Sequence, residues 1–70
     1  MRFDYTEGKV ANYLVSVHYE TVSDYYYFHY LKAANEVFER IVNNHNPKER
    51  IIIALDDLVK DKRKKLKFIV

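Results

Sequence analysis

The sequence predicts an all-α fold, a small three-helix bundle, and three observations support that class. Apolar residues recur at helical spacing in three segments, roughly 8–20, 24–43 and 47–67. Cap and turn residues separate the segments, at 21–24 and 43–47. The 70 residues are 49% hydrophobic with one Gly and no Cys, so we expect a single domain, 1–70, with one core and no disulfides. The alternative is an α+β fold, an N-terminal β-hairpin packed on two helices.

The first segment fits a helix and a strand equally well. A helical projection places four apolar residues on one face: Val10, Tyr13, Leu14 and Val17. Strict alternation fits a strand, with Tyr13, Val15, Val17 and Tyr19 on one side and Leu14, Ser16, His18 and Glu20 on the other. The choice between helix and β-hairpin over residues 8–30 therefore stays open.

The second segment favours a helix from Asp24 to Asn43, capped by Ser23. One stripe holds its apolar residues: Tyr27, Tyr30, Leu31, Ala34, Val37, Phe38, Ile41 and Val42. A competing interpretation makes residues 25–30 a strand, since aromatic side chains suit pleated surfaces. Residues 31–34 offer no turn between such a strand and the helix, so a continuous helix is preferred.

The third segment has the clearest helix signals. Asn46 is a cap residue, Pro47 suits the first helical position, and Glu49 completes a capping-box pattern. The following apolar residues lie on one helical face: Ile51, Ile52, Leu55, Leu58, Val59 and Leu66. Basic residues concentrate at the C-terminal end, where the helix dipole favours them. The pattern predicts a helix that continues to about Arg63.

The cluster of aromatic residues at 25–30 is the most informative feature for function. It holds five rings, those of Tyr25, Tyr26, Tyr27, Phe28 and Tyr30. Consecutive residues of a helix spread around its circumference, so the rings cannot all face one core. We therefore predict an exposed aromatic patch that binds a partner, formed by Tyr19, Tyr25, Phe28 and His29. The alternative is that the first segment or a loop covers these rings.

A basic segment, residues 60–70, ends the chain. It carries six Lys and Arg residues against Asp61 alone, whereas the whole chain has a formal charge of only +2. Such asymmetry is typical of a surface that meets phosphate or an acidic protein surface. The alternative function is therefore nucleic-acid binding, through four cations expected to project outward from the third helix: Lys60, Arg63, Lys64 and Lys67. Membrane binding is less favoured, because the third helix has no more apolar residues on one face than it needs to pack against the core. The remaining alternative is a helix end that contacts only solvent.

Catalytic and metal-binding signals are weak. There is no thiol nucleophile and no Gly-rich phosphate loop. His18, His29 and His45 are scattered without metal-ligand spacing, and Asp56, Asp57 and Asp61 spread over a polar face beside cations. We therefore expect no catalytic residues, no metal site, no cofactor and no small-molecule substrate.

One short motif runs from Arg40 to His45. Arg40-Ile-Val-Asn-Asn-His45 resembles the Arg-x4–6-His motif of the HEPN family of helical, metal-independent ribonucleases. The resemblance implies that Arg40 would stabilise charge at the scissile phosphate and that His45 would act as acid or base. The alternative is a purely structural role, in which Arg40 pairs with Glu36 on the helix surface and His45 lies in a loop. A ribonuclease is accordingly the remote alternative.

The leading hypothesis is a non-enzymatic binding module. It would dock its aromatic patch on another protein or on a second copy of itself, as a small adaptor, regulator or inhibitor of the kind that mobile elements often encode. The longest aliphatic run is residues 51–55, far below the roughly 20 residues of a membrane-spanning helix. The first residues show no apolar region of a secretory signal. We therefore expect a cytoplasmic protein.

Overall fold

The computed structural model describes residues 11–46 and 48–69, and over them it shows an antiparallel sheet crossed on one face by a helix. The elements are β1 (Tyr13–His18), β2 (Ser23–Phe28), α1 (Leu31–Asn44), β3 (Ile51–Asp57) and β4 (Lys62–Ile69). The four strands lie in the order β2-β1-β3-β4. The three-helix bundle is therefore wrong, and the α+β alternative fits better, with a second hairpin in place of its second helix.

The first hairpin settles the ambiguity of the first segment in favour of the strand. β1 pairs with β2 in an unbroken antiparallel register from Tyr13↔Phe28 to His18↔Ser23. Val15 and Val17 are fully buried in the core, and Tyr13 and Tyr19 pack against it. The alternation of β1 therefore has the predicted period of two, with the odd-numbered residues under the helix.

The predicted second helix is wrong over residues 24–30 and confirmed over 31–43. Ser23 begins β2 instead of capping a helix, and the chain turns within His29 and Tyr30. Tyr30 is the N-cap residue in an extended conformation (φ −115°, ψ 139°), with no side-chain cap hydrogen bond. A two-residue bend is thus enough to connect strand and helix. The predicted stripe on α1 contacts the core through Leu31, Ala34, Val37, Phe38, Ile41 and Val42.

The predicted third helix is a β-hairpin instead. Asn46 forms a turn, not a helix cap: its Oδ1 accepts the Lys48 N–H at 3.0 Å, and its carbonyl accepts the Glu49 N–H at 3.0 Å. β3 then pairs with β1 on one side and with β4 on the other, so it is an interior strand. Its apolar run suits that position, because β-branched residues pack well on a pleated surface. A bulge interrupts the β3–β4 pairing between Leu55 and Asp56.

The core lies between α1 and one face of the sheet. Its buried residues are Val15, Val17, Phe28, Ala34, Phe38, Ile51, Ile53 and Leu55. Because side chains alternate along each strand, the intervening residues form the opposite face of the sheet, which we call the open face. Among the described residues, no helix is long and apolar enough to cross a membrane.

Candidate binding site on the open face

We call the centre of the open face the groove, because small side chains on its two inner strands lie between large side chains on its two outer strands. The strand registers place one row of residues across all four strands: Tyr25, Ser16, Ala54 and Leu66. Ser16 and Ala54, on the two inner strands, are only 4% and 2% exposed to solvent. Tyr25 and Leu66, on the outer strands, are 48% and 44% exposed. Two small buried residues thus form a floor between two large, half-exposed walls.

Two further rows extend this groove along the strands. One holds Ser23, His18, Ile52 and Phe68, and the other holds Tyr27, Leu14, Asp56 and Arg63. Ile52 is 40% exposed and Phe68 is 62% exposed. Exposed apolar side chains therefore continue from one strand to the next instead of lying singly, and such contiguity is typical of an interaction surface.

Polar groups at the edges of the open face are held by local partners. His18 Nδ1 lies 2.9 Å from Ser23 Oγ, and the His18 ring meets Tyr25 edge-on at 5.9 Å between centroids. Arg63 Nε donates to Asp56 Oδ1 at 2.9 Å. That hydrogen bond and the carboxylate charge raise the pKa of Arg63. Arg63 on the open face is therefore already paired with an acid.

The fold does not bring the residues of the predicted aromatic patch together. Tyr25 lies on the open face, but Phe28 is 1% exposed and belongs to the core, so its predicted exposure is wrong. Tyr19 is half-buried on the helix side of the sheet. His29 lies in the bend before α1, where its carbonyl accepts the Asn12 Nδ2–H at 2.9 Å.

The residues that sequence reasoning missed are Ile52, Leu66 and Phe68. Leu66 and Phe68 are separated by Lys67, and this alternation was the available signal for a strand with one apolar side. A helical projection hides the signal, because it places Leu66 inward and leaves Phe68 outside the predicted helix.

The basic segment is divided by its strand conformation. Lys65 lies opposite Leu55 on the helix side, where its Nζ donates to Glu39 at 3.2 Å and sits 5.4 Å from the centre of the Phe38 ring. Lys67, opposite Ile53, shares that side, whereas Arg63 belongs to the open face. Lys60 lies in the turn before β4, and Lys64 lies at the bulge. Lys60, Arg63, Lys64 and Lys67 are all exposed, but the helix from which they were expected to project is absent, and they lie in a turn, at a bulge and on both sides of β4.

Arg40 and His45 line the same cleft at the C-terminal end of α1. The cleft has a volume of about 280 Å³ and is also lined by Tyr19 and Glu49. His45 Nδ1 is 2.8 Å from the Val42 carbonyl oxygen, so the ring helps to satisfy the end of the helix. The helical bundle that the HEPN resemblance implies is not the fold of this chain.

The titration of Tyr19 tests whether its hydroxyl is buried in this cleft. Burial raises the pKa of Tyr19, and electrostatic repulsion from the ionised groups of Asp24, Tyr26 and Glu49 adds to the shift. Because a raised pKa favours the neutral phenol in the folded state, this group contributes stability below pH 10, and the contribution is lost as pH rises through its folded pKa. We expect Tyr19→Phe to remove one late-titrating phenol from the absorbance titration at 295 nm. Tyr25→Phe is the control, and a late phenol that survives Tyr19→Phe would contradict the assignment.

Over the described part of the chain, no set of metal ligands is present, and comparisons with known proteins add no relative. Within residues 11–46 and 48–69, no three His, Asp or Glu side chains gather closely enough to hold a metal ion. The chain matches no protein family model, and no curated protein or solved structure is significantly similar to it.

Proposed function

We propose that this chain is a non-enzymatic binding module that docks its open face on a protein partner, as a small adaptor, regulator or inhibitor acting in the cytoplasm. The observation that carries the proposal is the groove floored by Ser16 and Ala54. The large residues around this floor are between 40% and 62% exposed: Ile52, Leu66, Tyr25 and Phe68. Tyr suits such a surface, because its ring buries apolar area while its hydroxyl keeps a hydrogen-bond partner.

The charge distribution favours a protein over a nucleic acid as the occupant of this face. Phosphate recognition needs unpaired cations beside the stacking rings. The arginine of the open face is paired with Asp56, while Lys65 and Lys67 lie on the helix side of β4. An apolar surface with few free charges matches the centre of a protein–protein interface.

The test is to change the open face without changing the core. We expect the double variant Leu66→Ser/Phe68→Ser to stay folded by circular dichroism and to bind its partner at least about tenfold more weakly, as for residues central to an interface. The matched control is Val59→Ser, because Val59 is 72% exposed in the β3–β4 turn and lies off the open face. Immobilised wild-type and variant chains would be compared for the proteins they retain from a source-cell extract, and affinities measured for the protein identified.

Two outcomes would contradict this proposal. One is a partner retained equally by the wild-type chain and the double variant. The other is salt-sensitive binding of an unrelated single-stranded oligonucleotide that persists in Leu66→Ser/Phe68→Ser and disappears when Lys60, Lys64 and Lys67 become Gln. That second result would assign function to the basic segment.

A further inference from the structure

The two edges of the sheet differ in how they are protected. The β4 edge carries five basic residues, Lys62, Arg63, Lys64, Lys65 and Lys67, and its pairing with β3 contains a bulge. Lysines and bulges are the devices that keep an edge strand from pairing with another chain. The β2 edge, Ser23–Phe28, has no lysine, no proline and no bulge. Of the two described edge strands, β4 therefore carries these protective features and β2 does not.

The backbone groups of β2 that point away from the sheet can be identified from the hydrogen-bond ladder. The Tyr19 N–H donates to the Val22 carbonyl at 2.8 Å, and on the other side of β1 the Leu58 N–H donates to the Asn12 carbonyl at 2.8 Å. Antiparallel ladders alternate, so the backbone groups of residues 24, 26 and 28 face β1. The N–H and C=O groups of Ser23, Tyr25 and Tyr27 therefore point outward, and no strand described in residues 11–46 and 48–69 lies beside them.

We propose that β2 pairs antiparallel with β2 of a second copy, which joins the two sheets into one eight-stranded sheet. The charges of the strand favour this occupant. Asp24 is the only acidic or basic residue of β2, and a two-fold axis at Tyr26 places it opposite the partner's Phe28. The same axis sets Tyr25 opposite the partner's Tyr27, and such aromatic cross-strand pairs stabilise a sheet.

The other pairings of edges are less favourable. Two β4 edges would bring lysines against lysines, and like charges directly opposite each other destabilise a sheet. A β2 edge against a β4 edge is a head-to-tail contact, which leaves one edge free in every pair and so continues into a ring or a filament. The β2–β2 pairing is closed, and it makes the open faces of the two copies continuous. This inference does not depend on the proposed function.

The experiment measures the mass of the purified chain and the exchange of its amide hydrogens. We expect a species of twice the 8.5 kDa chain mass in sedimentation at micromolar concentrations. We also expect the Tyr25 and Tyr27 amides to exchange at least tenfold more slowly in concentrated than in dilute solution. Tyr25→Pro removes an outward N–H and is expected to give a monomer. The control Tyr25→Ala keeps that N–H and loses only the aromatic pairs, so we expect it to dimerise more weakly than the wild type but still to form a dimer in concentrated solution.

A second variant keeps the test valid where proline disturbs the strand. Tyr25→Lys/Tyr27→Lys gives β2 the protection that β4 already has, and we expect it to be folded and monomeric. A single-chain mass for the wild type at every concentration would overturn the proposal, as would a dimer whose Tyr25 and Tyr27 amides exchange rapidly. Leu66→Ser/Phe68→Ser leaves the β2 edge intact. If this variant still dimerises but no longer binds the protein that docks on the open face, the β2–β2 interface and the docking surface are separate.

Discussion

Phe28→Ala is expected to lower the free energy of unfolding by about 3–5 kcal/mol, the usual cost of removing a buried phenylalanine ring. The side chain of Phe28 is 1% exposed and is among the largest fully buried in the core. A domain of this size has only a few kcal/mol of stability, so most molecules should be unfolded at 25 °C. Urea or thermal unfolding followed by circular dichroism measures the effect.

The matched control is Tyr25→Ala, three residues earlier on the same strand. Tyr25 lies on the open face and is 48% exposed, so its removal leaves no cavity. We expect a change below about 1 kcal/mol, as for exposed substitutions. The opposite result, a folded Phe28→Ala and an unfolded Tyr25→Ala, would mean that β2 presents its other side to the helix, since a one-residue shift exchanges the two faces.

The sequence patterns were informative for β1 and α1, the two elements in which one side is buried and the other is not. β1 alternates between the helix-side core, at Val15 and Val17, and the open face, at Ser16 and His18. The stripe of α1 from Leu31 to Val42 has the period of a helix packed on one surface. In both cases a single apolar side repeats at the period of the backbone.

The third segment failed because β3 is interior and carries apolar residues on both faces. Ile51, Ile53 and Leu55 enter the core, while Ile52 and Ala54 lie on the open face. Such a run has no period of two, and a helical projection accommodates it equally well. The Asn46 side chain does accept a backbone N–H, as a helix cap would, but here it stabilises a tight turn. The same side-chain oxygen can stabilise either structure.

The sequence indicated the candidate site only through the number of aromatic residues at 25–30. Neither a strand nor a helix can bury all of them on one side, so some must lie on another face. Tyr25 is exposed for that reason, and Phe28 is buried because it falls on the alternate side. Ile52, Leu66 and Phe68 join Tyr25 through strand pairing between residues distant in sequence, which no local pattern encodes.

The turn between β3 and β4 depends on Asp57, and Asp57→Ala is expected to lower the free energy of unfolding by about 2 kcal/mol, the scale of hydrogen bonds to a charged group. Asp57 is 6% exposed, and its Oδ1 accepts the N–H groups of Val59 and Lys60, each at 3.0 Å. The same turn holds Asp61 at a positive φ of 54°, a conformation that costs energy for a residue other than Gly. The carboxylate therefore offsets strain elsewhere in the turn.

Asp57→Asn is the control, because its side-chain oxygen still accepts both N–H groups, and it should lose less than half as much stability as Asp57→Ala in urea unfolding. Equal losses would show that the hydrogen bonds are not what Asp57 contributes. The turn also fixes the register that places Leu66 beside Ala54 and Phe68 beside Ile52. Since the positions of Leu66, one wall of the groove, and of Phe68 in the next row depend on that register, Asp57→Ala should weaken partner binding even where the protein remains folded, and Asp57→Asn should restore it.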